Sequence, residues 1–271
     1  MKQVNASSKI IRATLNRFCQ PYRIILLFVL VIGTGCKRDA PTQGTAAVPQ
    51  GTATLLPIAE FSLGPNISEP SGIAYNAKNN SFIVVSDSHP EVYEIDSHGT
   101  LLRTIPTAGS DLEGIALSIT NDTIYVVEEK NRLVVSFLAN GTKLSSFSAD
   151  VASLPNNALE GITAGKNGHL YVLNEKLPGM LLEYALNGTE LKRTPLSIAS
   201  DYADIFYSES EDCLWMISDE SQKIMKTDLN GSLISQWYVP FTKGEGITIV
   251  RDTIYVVNDS DAKLYIFNKP K

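Results

Sequence analysis

The sequence predicts an all-β fold, namely a five-bladed β-propeller closed by an N-terminal strand. Three observations support this prediction: a short phrase that recurs at a nearly constant interval, a second phrase that keeps the same interval, and four strand signals within each interval. The repeats occupy residues 53–271, which we therefore assign to the propeller domain, whereas residues 1–52 have a different composition.

The recurring phrases define the repeat. The first occurs as Ser71-Gly72-Ile73, Glu113-Gly114-Ile115, Glu160-Gly161-Ile162, Ala203-Asp204-Ile205 and Glu245-Gly246-Ile247, with its second residues 42, 47, 43 and 42 positions apart. The second occurs as His98-Gly99-Thr100, Asn140-Gly141-Thr142, Asn187-Gly188-Thr189 and Asn230-Gly231-Ser232, at intervals of 42, 47 and 43. A period of this length is typical of four-stranded propeller blades.

Each repeat contains four short runs rich in β-branched and aromatic residues. In the second repeat they cover residues 114–117, 123–127, 132–137 and 143–147. Asn, Asp and Gly separate the runs, and Asn-Gly is the strongest short signal for a β-hairpin. The propeller domain has no convincing helical period, so we predict strands throughout.

The position of the last repeat predicts how the ring closes. The chain ends before the fifth repeat reaches its fourth strand, and residues 55–61 match the fourth strand of the first repeat at 101–105. We therefore expect residues 55–63 to form the outer strand of the last blade, beside residues 264–267. Such closure removes the unpaired edges that an open sheet would expose.

The N-terminal segment predicts that the protein is localised in the bacterial cell envelope. Basic residues precede an uncharged run at residues 24–35, which is too short to span a bilayer, so residues 1–35 are expected to be a signal peptide. Ile32-Gly33-Thr34-Gly35-Cys36 resembles a lipobox, which predicts lipidation of Cys36 and attachment to the membrane. Lys37 after the cysteine favours the outer membrane, and residues 36–52 form a flexible tether. The alternative is an ordinary secreted protein cleaved nearby.

The overall charge excludes one class of partner. The chain has 23 basic and 29 acidic residues and a formal net charge of -6, so it is not expected to bind nucleic acid. Its three cysteines, Cys19, Cys36 and Cys213, lack the paired spacings of a disulfide framework or a thiolate metal site.

Aligning the repeats places acidic residues at one mouth of the central channel. At the end of the second strand of each blade stand Asp87, Glu129, Glu175, Asp219 and Asp259. At the start of the innermost strand stand Glu113, Glu160, Asp204 and Glu245, with Ser71 in the first blade. These carboxylates would repel one another unless a cation lies among them.

Calcium suits a site made of oxygen ligands alone, so it is the predicted cofactor. The strand-one acids Glu113, Glu160, Asp204 and Glu245 are the expected direct ligands because they begin nearest the axis. The alternative is structural, since acidic residues are common where strands end and solvated carboxylates can remain unpaired at physiological salt.

Four segments together resemble the SdiA-regulated family of bacterial envelope proteins. They are Glu69-Pro70-Ser71-Gly72-Ile73, Leu112-Glu113-Gly114-Ile115, Leu159-Glu160-Gly161-Ile162 and Gly244-Glu245-Gly246-Ile247. The resemblance covers residues 54–268 and implies a five-bladed propeller distantly similar to NHL repeats, with a calcium ion and no implied enzymatic activity. The fourth repeat departs from the motif, with Ala203-Asp204 in place of Glu-Gly.

Two classes of function remain open at this point. The first is a non-catalytic, calcium-binding module that is lipid-anchored and presents loops to an envelope protein or a small-molecule ligand. The second is a calcium-dependent hydrolase of the lactonase or phosphoesterase type, in which the metal polarises the substrate and Glu113 or Glu160 activates water. We favour the binding module, because the hydrolase rests on analogy between folds.

Overall fold

Twenty β-strands form five antiparallel sheets in the computed structural model, which describes residues 53–120, 122–154 and 156–271. Blade 1 contains β2 (Pro70–Asn76), β3 (Ser81–Ser86), β4 (His89–Ile95) and β5 (Leu101–Pro106). Blade 2 contains β6 (Leu112–Leu117), β7 (Thr123–Glu128), β8 (Leu133–Leu138) and β9 (Lys143–Ser148). Blade 3 contains β10 (Leu159–Ala164), β11 (His169–Asn174), β12 (Met180–Ala185) and β13 (Glu190–Pro195).

The last two blades complete the ring. Blade 4 contains β14 (Asp204–Ser208), β15 (Cys213–Ser218), β16 (Lys223–Thr227) and β17 (Leu233–Tyr238). Blade 5 contains β18 (Gly244–Val250), β19 (Thr253–Asn258) and β20 (Lys263–Asn268), with β1 (Ala59–Ser62) outermost. The predicted all-β, five-bladed propeller is therefore confirmed.

The first strand of each blade is the inner one. β2, β6, β10, β14 and β18 each contact the inner strands of both neighbouring blades, so together they surround the central axis. The hydrophobic core lies between blades rather than within one sheet. For example, Ile83 of blade 1 belongs to the same buried cluster as Ile115 and Val126 of blade 2.

The strand β1 lies at the outer edge of blade 5, antiparallel to β20. Ala59 pairs with Ile266, and Ser62 pairs with Lys263. The strand is shorter than the predicted 55–63, because the chain first contacts blade 4, where Thr54 forms a parallel bridge with Tyr238. The segment at 53–62 therefore touches both blades at their common seam. The predicted signal peptide, the tether and Cys36 lie outside the described residues.

Helical structure contributes little to the propeller. A single 3₁₀ turn, Lys166–Gly168, precedes β11. Within the described ranges, no helix is long and apolar enough to cross a membrane.

The recurring Glu-Gly phrase forms a β-bulge at the start of the inner strand. The pairing of the first two strands shifts register at this phrase in blades 1, 2, 3 and 5, whereas β14 and β15 of blade 4 pair in register throughout. The glycine is required by close packing, because a Cβ at Gly72 would lie 2.6 Å from the carbonyl oxygen of Glu113. A bulge bends its strand and redirects a side chain, which is how the glutamates are positioned.

We expect the N-terminal segment to contribute to stability. A chain that begins at residue 64 lacks β1 and leaves β20 as an open edge, so it should aggregate and unfold at a lower temperature than a chain that begins at residue 53. Both truncations lack the signal peptide and tether, which makes the longer one the matched control. Equal solubility and equal melting temperatures would show that β1 is dispensable.

Candidate functional site

Most of the predicted acidic residues surround one cavity of about 270 Å³ at the face where the inner strands begin. Eight of the nine line it, namely Asp87, Glu113, Glu129, Glu160, Glu175, Asp219, Glu245 and Asp259. We call this cavity the acidic mouth. The two rows of acids that the repeats predicted therefore meet in space, because each inner strand begins beside the end of the second strand of its blade.

The bulges explain why three of these glutamates face the mouth. In blade 5, Gly244 pairs with Asn258 and Gly246 with Val257, so Glu245 is the additional residue between two consecutive ladder pairs. Glu113 and Glu160 hold the corresponding positions in blades 2 and 3.

Asp204 lies apart from the acidic mouth. It occupies the position of the glycine rather than that of the glutamate, and the residue aligned with the glutamates, Ala203, lines the cavity instead. The Asp204 side chain is 1% exposed, and its Oδ2 accepts a hydrogen bond from the backbone N–H of Ile247 at 2.8 Å. This placement separates Asp204 from the other three acids that were predicted as ligands with it.

Two overlapping groups of carboxylates lie close enough to hold a metal ion. One consists of Asp111, Glu113 and Glu129, and the other of Glu129, Glu160 and Glu175, and within each group the ligand oxygens lie within 4.8 Å of one another. Glu129 belongs to both groups. The close set therefore combines strand-one acids with acids at the ends of second strands, which the sequence analysis had placed in separate roles.

The environment of Glu113 and Glu160 disfavours their ionised forms. Burial raises the pKa of Glu113 well above its ordinary value, and the negative charges of Asp87 and Glu129 raise it further. Burial, followed by the charge of Glu113, raises the pKa of Glu160 well above its ordinary value. No hydrogen bond or ion pair reaches either carboxylate from the part of the chain that the structure describes.

Two further glutamates have pKa values near neutrality. Burial raises the pKa of Glu129 to about 7, although its carboxylate accepts a hydrogen bond from the backbone N–H of Ala158 at 3.1 Å. Burial also raises the pKa of Glu245 to about 7, against the opposing charge of Lys243. Burial raises the pKa of Asp87 and of Asp259 as well.

Three lysines, two that line the mouth and one beside it, were missed by the sequence analysis. Lys243 Nζ lies 3.4 Å from carboxylate oxygens of both Asp219 and Glu245. Lys176 Nζ lies 2.7 Å from Glu175 and 2.9 Å from Glu220, and Lys130 contacts Asp111. The signal was present in the sequence, because Lys130 and Lys176 each directly follow a predicted acid.

The lysines neutralise the rim unevenly. They contact Asp111, Glu175, Asp219, Glu220 and Glu245, whereas the carboxylates of Glu113 and Glu160 have no such contact within the described ranges. Of the acids that line the mouth, Asp87, Glu113, Glu129, Glu160 and Asp259 therefore have no lysine contact within the described residues. An arrangement of oxygen donors with excess negative charge can bind a hard divalent cation.

The fold and the site define a five-bladed β-propeller with an acidic mouth at one end of its channel. The chain belongs to the SdiA-regulated family, whose model matches residues 60–270. This confirms the resemblance deduced from the repeated Glu-Gly-Ile phrases. No curated protein sequence matches the chain.

Solved structures show the same fold at low sequence identity. A selenomethionine-substituted virginiamycin B lyase from Staphylococcus aureus is 16% identical with a TM-score of 0.50, over 76% of this chain and 68% of that chain. A chain of a nidogen/laminin complex is 17% identical with a TM-score of 0.51, over 70% of this chain and 72% of that chain. At these identities the similarity is one of fold.

The raised pKa of Glu129 predicts how stability depends on pH in the presence of a chelator. The native state retains a proton on Glu129 up to about pH 7, whereas the unfolded chain releases it near its ordinary pKa of about 4.3. The native state therefore binds more protons over this interval, so the free energy of unfolding should fall as the pH rises through it.

Glu129→Gln should flatten this fall, by an amount on the order of 1–3 kcal/mol between pH 5 and 8. Urea denaturation at a series of pH values would measure it. Glu209→Gln, at an exposed glutamate distant from the mouth, is the matched control and should keep the slope of the parent. An unchanged slope in Glu129→Gln would contradict the raised pKa.

Proposed function

We propose that this protein is a non-catalytic, calcium-binding interaction module of the bacterial cell envelope. In this proposal the acidic mouth binds one calcium ion, and the surrounding loops contact an envelope protein or a small-molecule ligand. Lipidated Cys36 would attach the propeller to the membrane, in particular the outer membrane. The observation that carries the proposal is that two sets of three acidic residues, each close enough to hold a metal ion, have Glu129 in common.

The spacing of the carboxylates fits a single calcium ion. Calcium–oxygen distances of about 2.3–2.6 Å place two ligand oxygens no more than about 5 Å apart. The oxygens within each group lie within 4.8 Å of one another, so one ion could contact all three members of a group. Glu129, the residue common to both groups, would be the central ligand, and binding of one ion would draw Glu113 from one group and Glu160 from the other toward it, with Asp111 and Glu175 at the sides.

Electrostatics support the same conclusion. A divalent cation would offset the burial and the repulsion that together raise the pKa values of Glu113 and Glu160, since an opposite charge nearby favours the ionised form. The lysines do not supply this charge to Glu113 or Glu160, because Lys130 contacts Asp111, Lys176 contacts Glu175 and Lys243 contacts Glu245. A bound ion would compete with Lys130 for Asp111 and with Lys176 for Glu175. Asp204 does not line the acidic mouth, and its Oδ2 accepts a hydrogen bond from the backbone N–H of Ile247.

The arrangement favours calcium over magnesium. Magnesium requires near-ideal octahedral geometry at about 2.0–2.1 Å, whereas calcium accepts 6–8 oxygens in irregular geometry. The two groups of three acids share Glu129, and their members belong to neighbouring blades on one side of the axis. Such an arrangement does not have the symmetry of an octahedron. When bound, the ion would stabilise the fold and offer its solvent side to oxygen atoms of a ligand.

A hydrolase would need more than this ion. It would require a carboxylate that is free to activate water next to the metal. In the proposed site Glu113 and Glu160, the two residues suggested for that role, act as metal ligands. We therefore propose binding rather than catalysis.

Calcium should stabilise the folded protein more than other salts do. At a hundredfold excess over the dissociation constant, binding to the native state alone contributes about 2.7 kcal/mol, which corresponds to a rise in melting temperature of about 5–10 °C. Melts in calcium, magnesium and sodium chloride at matched ionic strength would measure the specific effect.

Glutamine substitutions identify the ligands in the same experiment. Glu113→Gln and Glu160→Gln keep the size of the side chains, and both should lose the calcium-specific shift while making the calcium-free protein more stable. Glu209→Gln is the control and should keep the shift. A calcium shift that survives both substitutions would show that other acids hold the ion, and equal effects of all three salts would rule out a calcium site.

Membrane attachment is tested at Cys36. Cys36→Ala should lose incorporation of labelled palmitate, and the protein should move from the membrane fraction to the soluble fraction. Because a retained signal peptide could itself hold the variant in the membrane, the N-terminus of the product must be sequenced. A correctly processed variant that is still recovered with the membrane would contradict lipid anchoring at this residue.

A further inference from the structure

The axis of the propeller contains a cyclic arrangement that none of the preceding functions uses. In four blades the second residue of the repeated phrase is a glycine, and a Cβ built on it would lie close to the backbone nitrogen of the isoleucine in the next blade, although at Gly72 and Gly114 a carbonyl oxygen of that blade would be nearer still. These distances are 3.1 Å from Gly72 to Ile115 N, 2.9 Å from Gly114 to Ile162 N, 2.8 Å from Gly161 to Ile205 N and 2.9 Å from Gly246 to Ile73 N. In blade 4 the equivalent residue is Asp204, whose carboxylate contacts Ile247 N at 2.8 Å.

Asp204 interacts with more than one blade. Burial raises the pKa of Asp204 well above its ordinary value, and the backbone N–H groups of Ile247 in blade 5, Ile205 in its own strand, Ile73 in blade 1 and Ile162 in blade 3 oppose this rise. The side chain is 1% exposed, and Oδ1 forms no hydrogen bond of ordinary geometry within the described chain. A buried carboxylate is thus placed among amide groups that converge from four blades.

The bulges account for the orientation of these amides. In blades 1 and 3 the register between the inner and second strands shifts at the glycine, just before Ile73 and Ile162. A bulge interrupts the ladder locally and leaves groups without a partner in the neighbouring strand. Successive backbone N–H groups that converge in this way form a concave anion-binding site.

We propose that the propeller axis is an anion-binding nest of backbone amides, filled by the carboxylate of Asp204. The chemical class of its ligand is a small carboxylate, which the chain supplies itself. A buried N–H group that has no acceptor pays its desolvation penalty without compensation. One carboxylate offers about four acceptor sites, so a single side chain can serve amides from several blades.

The residue two positions along the same strand supports this assignment. Phe206 lines the channel on the far side of Asp204, where the other four blades have Ala74, Ala116, Thr163 and Thr248. Blade 4 therefore contributes both bulky residues, and the other blades contribute glycine and small residues that leave room for them. Because side chains in a strand alternate between faces, Asp204 and Phe206 point in the same direction.

The nest also separates two chambers of the channel. The acidic mouth is lined by residues that precede the glycine level, such as Ser71 and Glu113, whereas a second cavity of about 290 Å³ is lined by residues that follow it, such as Ile73 and Ile115. The two linings have no residue in common. The boundary coincides with Asp204 and the four glycines.

Chemical rescue tests the proposal. Asp204→Gly should empty the nest and lower the melting temperature by about 3–10 °C. Sodium formate should then restore stability in a saturable manner, because formate reproduces the lost carboxylate. Sodium chloride at matched ionic strength should restore less, and formate should have no specific effect on the parent protein. If Asp204→Gly does not fold alone, the dependence of its refolding yield on formate provides the same measurement.

Asp204→Asn separates this role from metal binding. It keeps the size of the side chain but removes the charge, so it should be less stable than the parent and should not respond to formate, while keeping the calcium-specific shift. If Asp204 were a calcium ligand instead, Asp204→Asn would lose that shift. An Asp204→Asn variant as stable as the parent, or a formate effect equal in Asp204→Gly and in the parent, would overturn the proposal.

Discussion

The close approach of five inner strands at the axis is the constraint on which the rest of the structure depends. At four of the five positions a Cβ atom would collide with the backbone of the next blade, as at Gly161, where it would lie 2.6 Å from the Cα of Asp204. Five sheets can surround so narrow an axis only if almost every blade has a glycine there. The Glu-Gly-Ile phrase is therefore first a packing requirement, and its glutamate is placed as a consequence.

The acidic mouth follows from that requirement. The bulge that accommodates the glycine turns the preceding glutamate toward the axis. Because the blades are arranged in a ring, Glu113, Glu160 and Glu245 all line the same cavity. Three lysines then neutralise part of this charge without reaching Glu113 or Glu160. The five blades have nearly the same backbone, but the charged residues at the mouth differ from blade to blade. The site that they form is therefore asymmetric.

The sequence predicted the fold well because a repeat is a global signal. Two phrases with one period defined five blades, and the turn residues between strands supplied the topology. The site was predicted less completely. Asp204 was aligned with the glutamates as a predicted metal ligand, whereas it occupies the glycine position of its repeat and does not line the acidic mouth. Lys243 was missed because only acids had been aligned, although it lies two residues before Glu245.

The first described residues also determine how the propeller would respond to mechanical force. The backbone of residues 53–55 forms hydrogen bonds of 3.1 and 2.8 Å with Tyr238 of blade 4, and the chain then enters blade 5 as β1. Tension applied to the N-terminal end would load these two bonds before it reached the four residue pairs between β1 and β20. The seam between blades 4 and 5 would therefore be loaded first.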